Sequence, residues 1–450
     1  MKSSGYNVFI PGLDSQSTIL FNTLYGSVSQ FAHHEAPIAR SLLDGVRPDE
    51  STRSMFDALV SQKHLVNDGV NEMDLIEARK RAGICDSNRL DVIVLPTLNC
   101  NFACVYCYEV HRRSRMHPDM VEALKTWLTA EIPLHKVVML HWFGGEPLLQ
   151  FGTVMSVSRH AKSIAEQNGT LAVLHITTNG YLLSRNRAQE LTGAGIRDFQ
   201  ITIDGPAKAH DKMRILTNGG STFHRVFENV CSLASVDEQV KVTLRINFNH
   251  NNLESIPELL ELFPTAIRPQ LRVVFEPIFG DCSLSAISNV PPSELSQKTS
   301  EYSEYAASLG YDINFGLSAV KPGKLVYCYA EREHQYIINF DGNVFKCSVG
   351  EFSSNERVGR LLSNGRMERC DSEWANWTGG VLFSARCHSC VYLPMCMGGC
   401  RKMRMQEDPQ QCALVATNSS YLLKQVAFGG LQEAFRVQTS SSTRKTRSRQ

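Results

Sequence analysis

The alternation of apolar and polar positions divides the chain into three stretches. From Arg89 onward, short apolar runs read as strands: LDVIVLPT (90–97), KVVMLHW (136–142), LAVLHIT (171–177), FQITID (199–204), KVTLRIN (241–247) and LRVVFEP (271–277). Helical periodicity fills the gaps, beginning at Pro118, which suits a first helical turn, and running over 153–167, 183–193, 222–235 and 253–263. Six strand–helix units of this kind predict an α/β fold whose parallel sheet is covered by helices, either curved as a partial barrel or open. In barrels of this type, chemistry sits at the carboxyl ends of the strands. Ahead of them, residues 1–85 read as a small separate α+β unit. There TILFNTLYGSVSQF predicts a hairpin turning near Tyr25 and Gly26, and short helices are expected near 36–43, 54–62 and 72–82. Beyond Lys321 the signals shorten and cysteines crowd in. The tail QTSSSTRKTRSRQ is Ser-rich and basic, and is expected to be solvated and disordered.

Length and composition narrow this little. The 450 residues hold two or three domains. With 46 basic and 45 acidic residues, no net field draws the chain to nucleic acid or to a membrane. The opening MKSSGYNVFIPGLDSQS has no signal-peptide core, and no apolar run is long enough to span a bilayer. A cytoplasmic location is therefore expected, where thiols stay reduced. Fourteen cysteines in such a compartment point to metal. The glycosylation-type matches at Asn168 and Asn418 then read as chance.

Candidate chemistry gathers at the strand ends. Cys100, Cys104 and Cys107, in LPTLNCNFACVYCYE, follow the first strand. Three thiolates can hold three irons of a four-iron cluster and leave the fourth iron open. A zinc ion would want four compact ligands, and buried structural thiols are the plain alternative. The second strand runs into Phe143-Gly144-Gly145-Glu146-Pro147. Glycines let a ligand lie against backbone, and Glu146 offers an acceptor for an ammonium group; a tight turn opening a helix is the other reading. The third strand ends in Thr177-Thr178-Asn179-Gly180, and the fourth in Thr202-Ile203-Asp204-Gly205-Pro206, with His210, Asp211 and Arg214 beyond. Asp204 could equally stabilise a turn and Arg214 a structural ion pair; Arg245 and Asn247 are weaker candidates. The C-terminal region carries Cys328, Cys347, Cys370, then Cys387, Cys390, Cys396 and Cys400, and finally Cys412. Soft thiolates suit iron–sulfur clusters or zinc. Cys85, Cys231 and Cys282 have no metal spacing and read as packing residues.

The spacing Cys100–Cys104–Cys107 with Tyr106, the Gly144–Pro147 segment and the Thr202–Arg214 segment together resemble the radical S-adenosylmethionine (radical SAM) enzymes. The C-terminal spacing, with Gly342 ahead of Cys347, is similar to the seven-cysteine SPASM domain, and the combination resembles the peptide maturases of that superfamily. The resemblance implies a peptide-recognition-like domain over 1–85, a partial (β/α)6 barrel over 86–315, a SPASM domain over 316–425, and a helix end with the tail over 426–450. It implies SAM and a SAM-binding four-iron cluster on Cys100, Cys104 and Cys107. The SAM amino group would be met by Gly144, Gly145, Glu146 and Pro147, and the rest of SAM by strand ends including Thr178, Asn179, Asp204 and Arg214. Two auxiliary clusters are implied. One is held by Cys387, Cys390, Cys396 and Cys412; the other by Cys328, Cys347 and Cys400, with Cys370 or an open iron completing it.

The implied reaction is reductive cleavage of SAM to a 5′-deoxyadenosyl radical. Oxidative modification of a ribosomally made precursor peptide follows, as a carbon–carbon, ether or thioether cross-link. Its partners are that peptide and a reduced flavodoxin or ferredoxin-type donor, with neither nucleic acid nor membrane. The precursor's leader would add a strand to a sheet edge of residues 1–85; a capping domain or dimer contact is the alternative there. An anaerobic sulfatase maturase, forming formylglycine, is the second enzymatic reading, and the long stretch ahead of Cys100 counts against it. A zinc-binding interaction protein is the reading from another class, opposed by the intact Cys100–Cys107 and Gly144–Pro147 motifs.

Overall fold

The computed structural model describes residues 1–12, 16–278, 292–313 and 323–405. Cys282, Cys412 and the tail over 426–450 lie outside the described residues. The described residues fall into two compact units: those of 1–84 with 323–328 and 381–405, and those of 85–313 with 329–380. This division differs from three consecutive domains, because stretches of the cysteine-rich region pack into each unit.

In the first unit the strands are β1 (Lys2–Ser3), β2 (Asn7–Pro11), β3 (Ser17–Asn22), β4 (Val28–Ala32) and β5 (Leu65–Val66). β2, β3 and β4 form an antiparallel sheet with β3 central, and β1 pairs with β5. The expected hairpin is β3–β4, and Gly26 takes the positive φ of 74° in its turn. One face of the sheet buries Leu20 and Phe31 against Ala36, Ala39, Leu42 and Leu59, on helices Ala36–Leu43 and Arg53–Ser61. The other packs Ile10, Ile19 and Phe21 against Met395 and Cys396. Fully buried His64 ties β2 to β4, its Nδ1 2.9 Å from Asn7 Oδ1 and its Nε2 3.0 Å from Ser29 Oγ. Burial pushes this imidazole down to about 4.

In the second unit β6 (Arg89–Leu95), β7 (Val137–Trp142), β8 (Leu171–Thr178), β9 (Ile196–Thr202), β10 (Lys241–Phe248) and β11 (Leu271–Pro277) lie side by side in chain order, all parallel. Helices Pro118–Glu131, Phe151–Asn168, Arg185–Gly193, Phe223–Ala234 and Ile256–Leu262 fill the crossovers. Right-handed crossovers in unbroken order put every helix on one face, so the twisted sheet curves around a lumen on the other: a partial barrel. Side-chain alternation follows. Val138, Leu140 and Trp142 of β7 are buried beneath helices, while Val137, Met139 and His141 are half-buried on the lumen side. Trp142 donates its indole N–H to Ser158 Oγ at 2.9 Å, which lets so large a side chain be buried whole. Gly169, with φ 67°, ends the longest of these helices.

Beyond the barrel, β12 (Gln335–Asn339) pairs in parallel with β6, and β13 (Asn343–Phe345), β14 (Gly359–Leu361) and β15 (Met367–Arg369) continue antiparallel. β12, QYIIN, is buried along its whole length, its polar ends Gln335 and Asn339 included, so no alternation marks it as a strand. Among the described residues no helix is long and apolar enough to cross a membrane.

Candidate active site

The loop leaving β6 is closed at its neck by Ser114. Its carbonyl accepts the Thr97 hydroxyl at 2.6 Å, and its Oγ accepts the Leu98 N–H at 2.8 Å. The loop's far side is held by backbone bonds from Ala103 N to Ile215 O (2.8 Å) and from Val105 N to Met213 O (3.0 Å). This places Cys100, Cys104 and Cys107 on one cavity of about 300 Å³ at the carboxyl ends of the strands. Cys100 and Cys104 are half-buried and Cys107 is exposed. Burial pushes the Cys100 thiol up to about 12, so metal loading there must release protons.

The second loop is laced onto the first. Gly145 N donates to Thr97 O at 3.2 Å and Glu146 N to Asn99 O at 2.9 Å. A Cβ on Gly144 would stand 2.5 Å from Thr97 O, and one on Gly145 2.3 Å from Asn99 O. The missing side chains therefore make room for the cysteine loop's own backbone, while both glycines still line the cavity. Glu146 is fully buried. Its Oε1 accepts Leu148 N (2.9 Å) and Thr178 Oγ1 (2.8 Å), and its Oε2 accepts Asn179 N (2.8 Å). Burial raises this carboxyl, and those hydrogen bonds oppose the shift. Its acceptors thus join the ends of β7 and β8. Pro147 opens the turn that follows. Asn179 returns to the cysteine loop, its Nδ2 donating to Asn101 Oδ1 at 2.8 Å.

Asp204 and Arg214 meet through Tyr106. The Tyr106 hydroxyl donates to Asp204 Oδ2 and accepts from Arg214 Nη1 (2.7 Å) and Asn247 Nδ2 (3.0 Å). Asp204 Oδ1 accepts Asn247 N at 2.9 Å. Arg214 lines the cavity, whereas Asp204 lies behind it, fully buried. Burial raises the Asp204 carboxyl although the Arg214 guanidinium pulls the other way. Arg214 Nε is buried without a hydrogen-bond partner.

Sequence reasoning noted Tyr106 only for its aromatic ring and passed over Asn101, Glu109, His141 and His175. Glu109 lines the cavity with its Oε1 buried and unpartnered, and burial pushes its carboxyl up to about 7. His141 and His175 face the lumen with ring centroids 4.2 Å apart, and His141 Nε2 lies 2.9 Å from the Thr177 hydroxyl. Their alternate positions in β7 and β8 were the available signal.

Of the C-terminal cysteines, Cys328, Cys387, Cys390, Cys396 and Cys400 belong to the first unit and Cys347 and Cys370 to the second. Cys396 is buried, and Cys370 is exposed at the start of helix Asp371–Thr378. Cys85 is exposed, and Cys231 packs half-buried against the barrel core. Among the described residues, no three Cys, His, Asp or Glu side chains converge closely enough to hold one metal ion. A four-iron cube spreads its ligand sulfurs more widely than a single ion does. Three thiols around one cavity, with loops clasped by glycines beside them, fit that larger group.

The family profile of the Radical SAM superfamily matches residues 94–263. The PqqA peptide cyclase of Bradyrhizobium diazoefficiens is 21% identical over 325 residues, covering 69% of this chain and 81% of its own. The Fe-coproporphyrin III synthase of Methanosarcina barkeri is 26% identical over 175 residues, covering 39% of this chain and 41% of its own. The GTP 3',8-cyclase of Clostridium perfringens, at 26% identity, has 52% of its length covered, so the chain spans about half of such relatives. Among solved structures, anSMEcpe with bound AdoMet and the Cp18Cys peptide superposes with a TM-score of 0.58 at 17% identity, covering 78% of this chain and 99% of that one. Streptococcus suis SuiB bound to precursor peptide SuiA gives 0.51 at 16% identity, covering 91% and 98%. The matched span begins inside β6 and encloses the cysteine loop, the glycine loop and the Asp204–Arg214 contact, so residues 94–263 carry a radical SAM domain.

Proposed function

We propose that the chain is a radical SAM/SPASM peptide maturase that oxidatively cross-links residues of a ribosomally made precursor. The observation that carries this reading is the single cavity shared by three thiols, the Gly144–Gly145 backbone and the polar ends of β8, β9 and β10. Cys100, Cys104 and Cys107 would hold the cluster. When bound, cluster and SAM together supply a 5′-deoxyadenosyl radical. The chain's own residues hold and shield. Gly144, Gly145, Glu146 and Pro147 would meet the SAM amino group, while Glu146 and Asn179 fix that segment against the cysteine loop. Thr178 and Arg214 line the same wall.

A peptide substrate is supported by three relatives: PqqA peptide cyclase, and the peptide-bound structures of anSMEcpe and SuiB. The likeness to PqqA peptide cyclase runs over 69% of this chain, and its name denotes ring formation in a peptide, which supports a cross-linking maturase. The antiparallel sheet of residues 1–84 supports a leader site. In β4 the ladder bonds to β3 fall on odd positions, as His33 N to Gln16 O shows, so Gln30 N–H points along the free edge. Cys387, Cys390 and Cys396 would hold an auxiliary cluster with Cys412; the second auxiliary set rests on sequence spacing alone. A reduced flavodoxin or ferredoxin-type protein would supply the electron.

The test is anaerobic reconstitution with iron and sulfide, then reduction with dithionite in the presence of SAM. 5′-Deoxyadenosine should form, and Cys104→Ala should abolish it. A brown, reduced protein that releases none refutes the reading.

A further inference from the structure

Helix Glu72–Ile84 carries Lys80, a side chain with no exposure at all. Its Nζ donates to Met397 O at 2.7 Å and to Leu382 O at 3.1 Å, and lies 4.8 Å from the centre of the Phe383 ring. These two carbonyls are far apart in sequence, and Cys387, Cys390 and Cys396 all lie between them. One buried side chain therefore pinches the neck of the loop that carries three thiols. Two further cations hold the same neck. Arg401 Nη1 donates to Val381 O at 3.0 Å, and Arg404 Nη1 to Gly398 O and Gly399 O, both at 2.8 Å.

Burying a lysine is costly and needs a reason. Backbone closure alone would be met by any neutral donor. Cations directed at a thiolate-bearing loop also offset the negative charge that such a loop gains when it binds a cluster. Inside the loop, Cys390 N donates to Cys387 O at 3.1 Å, and Cys396 is buried against Ile10, Ile19 and Phe21 of the N-terminal sheet. The neck, the thiols and the sheet are one piece of packing.

We propose that Lys80 is a positioning residue for the auxiliary cluster on Cys387, Cys390 and Cys396, and that residues 1–84 are the scaffold on which that cluster is built. The inference rests on the auxiliary-cluster reading proposed above. It makes the recognition-like domain and the auxiliary cluster inseparable, so removing residues 1–84 removes both.

The test compares the full-length wild type, Lys80→Met, Arg404→Met, Cys390→Ala and Leu59→Ala after anaerobic reconstitution with iron and sulfide. Leu59 packs in the opposite core of the same unit and touches no cysteine, so it controls for plain destabilisation. Lys80→Met should lose about four irons per chain, one cubane. It should match Cys390→Ala in the paramagnetic spectrum of the reduced protein, while keeping the spectral change that SAM causes at the Cys100 cluster. Arg404→Met should shift the auxiliary midpoint potential to more negative values, and Leu59→Ala should keep its iron. Full iron and an unchanged reduced spectrum and potential in both Lys80→Met and Arg404→Met overturn the proposal, as does equal iron loss in Leu59→Ala. A wild type that binds iron only at the Cys100 site, or zinc at the C-terminal cysteines, instead overturns the auxiliary-cluster reading itself.

Discussion

Tyr106→Phe removes one oxygen, and that oxygen is the junction between the cysteine loop and the ends of β9 and β10. The hydroxyl donates to Asp204 and accepts from Arg214 and Asn247. Without it, Asp204 Oδ2 loses its donor and Arg214 Nη1 its acceptor, both inside the protein. A buried polar group left without a partner costs about 1–3 kcal/mol, and more when charged. The guanidinium and carboxylate can close part of the gap between them, so the expected net loss is about 2–4 kcal/mol. The cysteine loop still has its backbone bonds to Met213 and Ile215, so the change loosens the loop without freeing it. The assay is thermal unfolding of the metal-free chain, where each kcal/mol lowers the midpoint by ~2 °C for a unit of this size. Hydrogen exchange at the Ala103 and Val105 amides reports the loop directly. Asp204→Asn should be non-additive with Tyr106→Phe by about 1 kcal/mol or more, since both act on one junction. A Tyr106→Phe chain that melts with the wild type and exchanges these amides at the wild-type rate refutes the junction.

Gly145→Ala should lose about four irons per chain, the Cys100 cluster, because its Cβ would meet Asn99 O at 2.3 Å; Gly152→Ala, with nothing within 4 Å, should bind iron like the wild type and gain about 0.5–1 kcal/mol from helix propensity. Metal analysis after reconstitution and a melting curve check the pair. His64, pushed down to about 4 by burial, takes up its proton more readily when unfolded. Stability from its neutral form is therefore complete above pH 6.5 and falls as pH drops toward about 4, by about 3 kcal/mol at the end. His64→Gln should flatten that part of the pH–stability curve, and an unchanged slope would sink the assignment. Gln30→Pro should remove the outward N–H of β4 without touching the β3 ladder, so binding of the peptide to the isolated edge should weaken about tenfold in fluorescence anisotropy, set against Gln30→Ala as control.

How far the sequence reached depended on whether a feature was local. Each barrel strand is a largely apolar run of six to eight residues bounded by turns, so its identity needs no partner, and Cys100, Cys104 and Cys107 lie within eight positions of one another. Gly144 and Gly145 were visible as glycines, but the physical cause was not. It is the approach of Thr97 O and Asn99 O, more than forty residues earlier in the chain. Glu146 reads in sequence as a free acceptor; only the fold shows Thr178 and Asn179 arriving to use it. β12 was missed because it has neither alternation nor length, and becomes a strand only because β6 offers an unpaired edge.

The same distinction explains why the cysteine-rich region resists reading as one consecutive domain. Its strands satisfy a backbone edge, and any short apolar run with free N–H and C=O groups can do that, so 335–369 join the barrel sheet. Its cysteine loop has almost no regular structure of its own, and must find partners for bare carbonyls at Val381, Leu382, Met397, Gly398 and Gly399. Buried carbonyls without a ladder need donors from elsewhere in the chain, and here lysine and arginine supply them. One of those donors sits on an N-terminal helix, in an amphipathic pattern where a lysine reads as solvent-facing. A buried cation in that position carries no sequence signal, because its partners are main-chain atoms and have no residue identity. Sites built on backbone carbonyls therefore emerge only once the fold is known, whereas sites built on thiols are written in the spacing of the residues themselves.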